Sequence, residues 1–339
     1  MPQAIIMAGG PGERFWPLTH KKFPKYRIRF DGKHSLLQNT YRRLLKVYHP
    51  DQIHLVTTRE HIPMIRKELP LLKKRNLICE PRRKNTAPAL FLSSAVLAER
   101  FGPEEVVSFF PADHLIQNET LFKKTIQGAI ALAKKEERIV TIGIKPHFPA
   151  TGFGYIERGS AIAGFSQAYR VRRFVEKPDR PTALQYLRRK NFYWNGGIFT
   201  WRIGVFINAM KRFSPGISRR FDLKKLAESY RRLPAISIDY ALLEKAKNIA
   251  LYKTEMDWCD IGSWDMFLEK AKKNAQQNFV SGACIQKECR RSLILNLSPA
   301  PLIAIGISGL IVAQTKQGTL VCPRGRSEEA ALLFKAPLK

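Results

Sequence analysis

Residues 3–14 read Gln-Ala-Ile-Ile-Met-Ala-Gly-Gly-Pro-Gly-Glu-Arg, a short apolar run followed by a glycine-rich segment. The run from Gln3 to Met7 is typical of a buried β-strand. Glycines directly after a first strand let backbone N–H groups approach phosphate oxygens closely. The segment is not the dinucleotide-binding GxGxxG motif, because Phe15 occupies the third glycine position, and it is not a P-loop, because no Gly-Lys-Ser/Thr follows. By itself it is compatible with a structural turn as well as with a phosphate site.

Apolar runs and amphipathic stretches alternate through the first half of the chain. The predicted strands are residues 3–7, 53–57, 77–79, 106–110 and 139–144. The predicted helices between them are residues 35–47, 61–69, 86–100 and 120–134. This alternation predicts an α/β fold with a doubly wound, mostly parallel sheet, helices on both faces, and ligands at the carboxyl ends of the strands.

The pattern changes toward the end of the chain. In the middle we predict strands at 169–175 and 195–200 and helices at 219–231 and 240–247. After Gln276 no helical pattern remains, and short apolar segments alternate with turns such as Ser308-Gly309. We therefore predict two domains, a larger α/β domain at 1–275 and a small β-rich domain at 276–339.

The chain is strongly basic, with 58 Lys and Arg against 28 Asp and Glu and a formal net charge of +30. Runs such as Lys21-Lys22 and Arg82-Arg83-Lys84 would suit a polyanion. The excess is spread along the chain without interleaved aromatic residues, however, which favours a solvated basic surface and no nucleic-acid partner.

We expect neither a signal peptide at the start of the sequence nor a membrane-spanning segment within it. The start lacks a basic segment followed by a long apolar one, and the most apolar stretch, residues 301–313, is shorter than the ~20 residues that span a bilayer. The five cysteines are scattered and form no CxxC pair, so we expect reduced thiols. These observations predict a cytoplasmic protein with no membrane partner.

Four residues have the chemistry that a triphosphate needs. Arg14 and Lys25 follow the glycine-rich segment closely and can offset the charge of a leaving pyrophosphate. Asp113 follows the fourth predicted strand, where a carboxylate can hold Mg²⁺ against phosphate oxygens, although it could also cap a following helix. Asp260 lies between Trp258 and Trp264 in a chain that is poor in acids.

Several motifs occur in the order that a known family shows. They are AGGPGERFWPLT from Ala8, Pro24-Lys25, Glu80-Pro81 with Asn85-Thr86-Ala87-Pro88-Ala89, Pro111-Ala112-Asp113-His114, TGFGYI from Thr151, Phe174-Val175-Glu176-Lys177-Pro178, Trp194-Asn195-Gly196-Gly197 and the Asp260 segment. Together, from residue 2 to about 325, they resemble the mannose-1-phosphate guanylyltransferases within the sugar nucleotidyltransferases. The segment from Glu80 to Ala89 is the most specific for this branch.

The resemblance implies a role for each matching position. The nucleotide-binding residues would be Ala8, Gly9, Gly10, Gly12, Glu13, Arg14, Lys25, Glu80, Asn85, Thr86, Ala87, Pro111 and Asp113. Within this set, Glu80, Asn85 and Thr86 would line the guanine pocket. The sugar-phosphate residues would be Gly154, Tyr155, Glu176, Lys177 and Asn195. Asp113 and Asp260 would hold Mg²⁺, and Arg14 and Lys25 would act with them in catalysis. Turns at Glu176-Lys177-Pro178 and Asn195-Gly196, and a structural His114, are the simpler alternatives.

The same resemblance implies a Rossmann-like nucleotidyltransferase domain, a C-terminal left-handed β-helix, and transfer of GMP from GTP to α-D-mannose 1-phosphate. A homodimer is one option for its assembly. Transfer to another sugar 1-phosphate and a non-catalytic regulatory role remain alternatives. Two departures from the family pattern stand out: Tyr26-Arg27 follows Lys25 in place of Gln-Phe or Gln-Tyr, and residues 309–315 have lost two acidic residues.

Overall fold

The computed structural model describes residues 1–10, 12–20, 22–29 and 33–333. Pro11 of the glycine-rich segment, Lys21 of the first basic pair and the last six residues of the predicted 276–339 domain lie outside this part. The chain divides into two compact units, one formed by Met1–Gly9 with Leu37–Trp258 and the other by Gly10–Leu36 with Cys259–Lys339. The boundary that the sequence suggests near residue 275 stays a prediction.

A nine-stranded sheet forms the centre of the first unit. The strands of this unit are β1 (Gln3–Met7), β2 (Ile53–Thr58), β3 (Leu77–Glu80), β4 (Val106–Pro111), β5 (His114–Ile116), β6 (Ile139–Ile144), β7 (Tyr155–Ala161), β8 (Ala168–Val175), β9 (Phe192–Arg202) and β10 (Ile249–Thr254). All but β5 belong to the large sheet, in the order β3-β2-β1-β4-β9-β6-β10-β8-β7. The short strand β11 (Trp258–Asp260) follows at the division between the units.

The strand directions correct the prediction of a mostly parallel sheet. Strands β3, β2, β1 and β4 are parallel to one another, as are β6 and β10. Strand β9 runs antiparallel to both β4 and β6, and β8 is antiparallel to β10 and β7. The sheet is therefore mixed. Apolar runs identify buried strands but carry no information about direction, so the inserted β9 could not be oriented from its sequence.

Helices connect and cover these strands. In the first unit they are α1 (Leu36–Leu44), α2 (Ile62–Glu68), α3 (Thr86–Phe101), α4 (Glu119–Lys135), α5 (Arg180–Arg189), α6 (Ile203–Phe213), α7 (Pro215–Ser218) and α8 (Leu226–Arg231). The helix predicted at 219–231 is shorter in the structure, where only α8 forms. In place of the helix predicted at 240–247, the structure has a π-helical turn, Asp239–Leu243. Over the described ranges, none of the helices combines the length and apolar character that crossing a membrane requires.

The second unit contains six short strands and two short helices in the described part of residues 259–333. Its elements are α9 (Trp264–Lys270), β12 (Phe279–Gly282), β13 (Cys284–Lys287), β14 (Leu293–Asn296), β15 (Leu302–Ile305), β16 (Leu310–Thr315), β17 (Gly318–Pro323) and α10 (Glu329–Leu333). Strands β12, β14 and β16 stack in parallel, and so do β13 and β15. Helix α10 corrects the expectation that helices end at Gln276. The left-handed coil of these strands stays a prediction.

Candidate active site

The first two glycines after β1 are not required by packing. The Ala8 N–H donates to the Val56 carbonyl (3.0 Å) and the Ala8 carbonyl accepts from the Thr57 hydroxyl (2.6 Å), which fixes the start of the segment on β2. A Cβ placed on Gly9 or Gly10 would meet no described atom within 4 Å beyond its chain neighbours. Neither residue has a positive φ. Neither the described packing nor the backbone conformation therefore requires glycine at these two positions.

Gly12, in contrast, is required by its surroundings. It has φ +66°, and a Cβ there would lie 2.7 Å from the Lys25 Cβ. The Thr19 hydroxyl donates to the Gly12 carbonyl at 2.6 Å and fixes this turn. The Lys25 Nζ donates to the Asp260 Oδ1 at 2.8 Å, with the two side chains 11% and 30% exposed. The second unit therefore brings together three residues that the sequence motifs place far apart.

Arg14 lies at the surface of the same unit. Its side chain is 51% exposed, and its Nη1 lies 3.6 Å from the Glu328 Oε1, a pair that is weak because both side chains are solvated. A Cβ on Gly262 would be 3.2 Å from the same nitrogen, so the guanidinium lies beside the segment that carries Asp260. The neighbouring Glu13 is exposed. Arg14 is thus accessible to a polyanion.

Asp113 lies in the two-residue turn between β4 and β5. The buried Arg43 anchors this turn, because it donates to the carbonyls of His114 (3.4 Å) and Ile116 (3.3 Å). Burial lowers the pKa of Arg43 to about 10, so its charge persists at neutral pH. The His114 Nδ1 accepts from the Trp258 indole N–H at 3.1 Å, which identifies the ring as a structural support.

Gly197, the last residue of the Trp194-Asn195-Gly196-Gly197 motif on β9, packs against the turn that carries Asp113. Gly197 has φ +65°, and a Cβ there would lie 3.3 Å from the His114 ring and 3.5 Å from the Pro111 ring. Pro111 is half-buried at the end of β4. Glycine at this position lets β9 pack closely against the turn that carries Asp113.

The metal-binding role expected for Asp113 and Asp260 stays a prediction. Throughout the described ranges, no group of three or more His, Cys, Asp and Glu side chains could hold an ion by itself. Mg²⁺ is usually bound through one or two carboxylates together with substrate phosphates and water. Asp113 and Asp260 offer this kind of oxygen ligand, while Lys25 already neutralises Asp260.

The residues proposed to recognise the base lie at the end of β3 and the start of α3. Glu80 is 7% exposed, and its Oε2 accepts a 2.6 Å hydrogen bond from the Tyr230 hydroxyl. Burial raises the pKa of Glu80. Asn85, at φ 68°, accepts from the Thr86 N–H with its side chain and caps α3.

The segment at 236–238 is hydrogen-bonded to the start of α3. The Ile238 N–H donates to the Thr86 hydroxyl at 2.8 Å, and the Ala87 N–H donates to the Ile236 carbonyl at 3.1 Å. Residues 236–238 lead directly into the π-helical turn that begins with Asp239. The proposed base segment is therefore fixed to the chain that carries Asp239.

Glu176 and Lys177 form an ion pair at 3.2 Å, with the Glu176 side chain 8% exposed and the Lys177 side chain 59% exposed. Burial, and next the charge of Asp239, raise the pKa of Glu176 to about 7. A Cβ on Gly154 would lie 2.7 Å from the Glu176 Oε2, so a larger residue there would displace this carboxylate. Tyr155 is fully buried and packs on Tyr186, which places its ring in the core.

Asn195 completes this cluster from β9. Its Oδ1 accepts from the Thr141 hydroxyl (2.8 Å) and from the Gly197 N–H (3.2 Å), while its Nδ2 donates to the Asp239 Oδ1 (3.2 Å). Asn195 is thus linked through Asp239 to the charged groups around Glu176.

Comparisons with known proteins show the family of this chain. Residues 3–277 match the family model described as nucleotidyl transferase. The chain belongs to the nucleotidyl transferase family. This nucleotidyltransferase is 35% identical to a mannose-1-phosphate guanylyltransferase of Escherichia coli, over 96% of this chain and 71% of the relative. It is 33% identical to a mannose-1-phosphate guanylyltransferase of Salmonella typhimurium, over 94% and 68% of the two chains.

Among solved structures, one described as a mannose-1-phosphate geranyltransferase from Thermus thermophilus superposes with a TM-score of 0.89. It is 28% identical, and the match covers 98% of both chains. The nucleotidyltransferase fold and the family resemblance expected from the sequence are thus confirmed.

The sequence did not single out three residues of this nucleotidyltransferase that contact the predicted ones. They are Tyr230, which binds Glu80; Asp239, which binds Asn195; and Glu244, whose Oε1 accepts from the Glu176 N–H at 3.1 Å. The scarcity of acidic residues that drew notice to Asp260 could also have drawn it to Asp239.

Proposed function

We propose that this nucleotidyltransferase transfers GMP from GTP to α-D-mannose 1-phosphate and releases pyrophosphate, forming GDP-mannose. The observation that carries the proposal is the open backbone at Gly9 and Gly10, where neither packing nor φ demands glycine. Two cations, Arg14 and Lys25, follow these glycines in sequence. A cradle of backbone N–H groups with nearby cations is what a triphosphate requires.

The reaction is a single in-line displacement at the α-phosphorus of GTP. An oxygen of the sugar phosphate forms the new P–O bond while the bond to the pyrophosphate oxygen breaks. The second pKa of a phosphate monoester is about 6, so the nucleophile is already mostly dianionic and needs no general base. The protein contributes positioning and neutralisation of charge, for which Arg14 and Lys25 supply the cations.

Base recognition is assigned to Glu80 and the Asn85-Thr86-Ala87 segment. A carboxylate can accept hydrogen bonds from the N1–H and 2-amino groups of guanine. Tyr230 occupies one oxygen of Glu80 and orients the carboxylate. Such a site leaves buried polar groups unpaired when another base is present, which disfavours other nucleotides.

The sugar phosphate is assigned to Gly154, Glu176, Lys177 and Asn195. The exposed Lys177 ammonium would contact the phosphate, and Glu176 would accept from sugar hydroxyls. Tyr155 contributes through its backbone and by supporting this cluster, since its ring is buried.

Members of this family generally use a divalent metal, and we assign Asp113 and Asp260 as the carboxylates that would hold Mg²⁺. Mg²⁺ bound to the phosphates would neutralise part of the charge that develops during transfer. Lys25 orients Asp260, and the Arg43-anchored turn orients Asp113. A cytoplasmic location and a homodimer remain predictions.

The test is pyrophosphate release, measured with GTP, ATP, UTP and dTTP against several sugar 1-phosphates. We expect GTP with mannose 1-phosphate to be the best pair, with GTP preferred by about a hundredfold or more in kcat/KM. Glu80→Gln should weaken GTP use selectively, while the exposed Asp222→Asn serves as a matched control with unchanged kinetics. Equal turnover with UTP or dTTP would contradict the guanine assignment, a different preferred sugar would contradict the mannose assignment, and no turnover with any pair would favour a regulatory role.

A further inference from the structure

The orientation of the Asn195 side-chain amide is fixed by its partners. The Gly197 backbone N–H can only donate, so the atom that it contacts at 3.2 Å must be the amide oxygen. The Thr141 hydroxyl donates to the same oxygen at 2.8 Å. Both lone pairs of this oxygen are thereby engaged, and a ligand can use Asn195 only as a hydrogen-bond donor.

The amide nitrogen has two hydrogens, of which one points to Asp239. The Asn195 Nδ2 lies 3.2 Å from the Asp239 Oδ1, and its second hydrogen remains for another acceptor. A carboxylate accepts about four hydrogen bonds, so Asp239 also retains acceptor capacity. A donor and an acceptor side by side suit one hydroxyl group, whose oxygen accepts from Asn195 while its hydrogen bonds to Asp239.

Burial raises the pKa of Asp239, so its surroundings disfavour the ionised carboxylate. It is half-buried at the first residue of the π-helical turn, and the charges of Glu176, Asp239 and Glu244 act on one another. Lys177 is the cation that acts on Asp239 and Glu176. Clusters of like charges lower the stability of the folded state and occur preferentially at functional sites, and π-helical turns share that preference.

We infer that Asp239 is a further sugar-binding residue, which accepts a hydrogen bond from one hydroxyl of the sugar phosphate while Asn195 donates to the same hydroxyl. The inference rests on the proposed function and adds the residue that makes recognition of this hydroxyl specific. It predicts that the protein distinguishes sugar 1-phosphates by the presence and direction of that group.

The experiment combines substitutions with deoxy substrates. Pyrophosphate release is measured for the wild type and for Asp239→Asn with mannose 1-phosphate and its 2-, 3-, 4- and 6-deoxy derivatives. We expect Asp239→Asn to lower kcat/KM for mannose 1-phosphate by about tenfold to a hundredfold, mainly through KM, because a polar contact to substrate is lost. The KM for GTP should stay within about twofold, on the same ground. One deoxy derivative lacks the hydroxyl that Asp239 binds. For this derivative, kcat/KM should be almost the same in Asp239→Asn as in the wild type.

The control is Asp222→Asn, which changes an exposed acidic residue of the same unit. It should leave the kcat/KM of each deoxy derivative relative to that of mannose 1-phosphate unchanged. If Asp239→Asn folds poorly, Asn195→Ala replaces it. Because both residues are proposed to bind the same hydroxyl, Asn195→Ala should also have almost no effect on the one deoxy derivative that lacks this hydroxyl. Equal losses with all five sugars would overturn the inference and make Asp239 a structural residue. If the wild type releases no pyrophosphate, the proposed function fails; calorimetric binding of the same five sugars then tests Asp239 by the same comparison.

Discussion

The ion pair between Lys25 and Asp260 makes Asp260→Asn the most informative substitution in the second unit. The substitution keeps the size and shape of the side chain but removes its charge. The Lys25 Nζ loses a 2.8 Å charged partner while its side chain stays 11% exposed. Activity and stability should therefore both fall.

The expected stability loss lies between two known limits. Removing one partner of a fully buried ion pair costs about 3–5 kcal/mol, whereas an exposed pair contributes about 0–1 kcal/mol. Asp260 is 30% exposed and Lys25 is nearly buried, so about 2 kcal/mol is reasonable. The loss in turnover should be larger, about a hundredfold to a thousandfold, because one preorganised electrostatic contact contributes about 2.7–4 kcal/mol to a transition state.

Pyrophosphate release and the thermal unfolding midpoint measure the two effects separately. The double substitution Lys25→Met with Asp260→Asn should remain inactive, and its stability relative to the two single substitutions measures the coupling between the two residues. Strictly additive stability losses would show that the pair contributes no coupling. Wild-type turnover in Asp260→Asn would refute its assignment as a metal ligand.

Three further outcomes follow from other residues. Lys177→Ala should raise KM for the sugar phosphate at least about tenfold and leave KM for GTP unchanged, whereas a defect confined to GTP would place Lys177 elsewhere. Because burial raises the pKa of Glu176 to about 7, its accepting, ionised form increases with pH, so kcat/KM for the sugar phosphate should rise through about pH 7. Glu176→Gln should lose this inflection and keep that of the substrate phosphate near about pH 6. Gly12→Ala should lower the unfolding midpoint through its φ of +66° and its contact with Lys25, while Gly9→Ala should leave the midpoint unchanged and weaken GTP binding; equal midpoints for the two would contradict this account.

Much of the first unit was predictable because its strands are short, apolar and bounded by polar segments. The strands at 3–7 and 139–144 were predicted to the residue, and α3 was predicted to within one residue at each end. The direction of β9 and the π-helical turn were not, because both depend on tertiary pairing rather than on local periodicity.

For the candidate site, too, the sequence identified some residues but not their contacts. The motifs identified Gly12, Lys25 and Asp260, and the structure joins them. No local pattern shows that Asp260 is paired with Lys25, and this pair is the reason why loss of Asp260 should lower stability. Asp239 was missed because its partner Asn195 is 44 residues away, and no local pattern reports such a contact.

The segment from Ile236 to Asp239 has a consequence for how substrate preference can change over time. Its backbone is hydrogen-bonded to Thr86 and Ala87, and its last residue binds Asn195. We expect substitutions in the proposed base segment to shift the backbone that places Asp239. Under the proposed roles, a change of nucleotide preference would then affect sugar preference, and laboratory selection for a new nucleotide should recover compensating changes between residues 236 and 239.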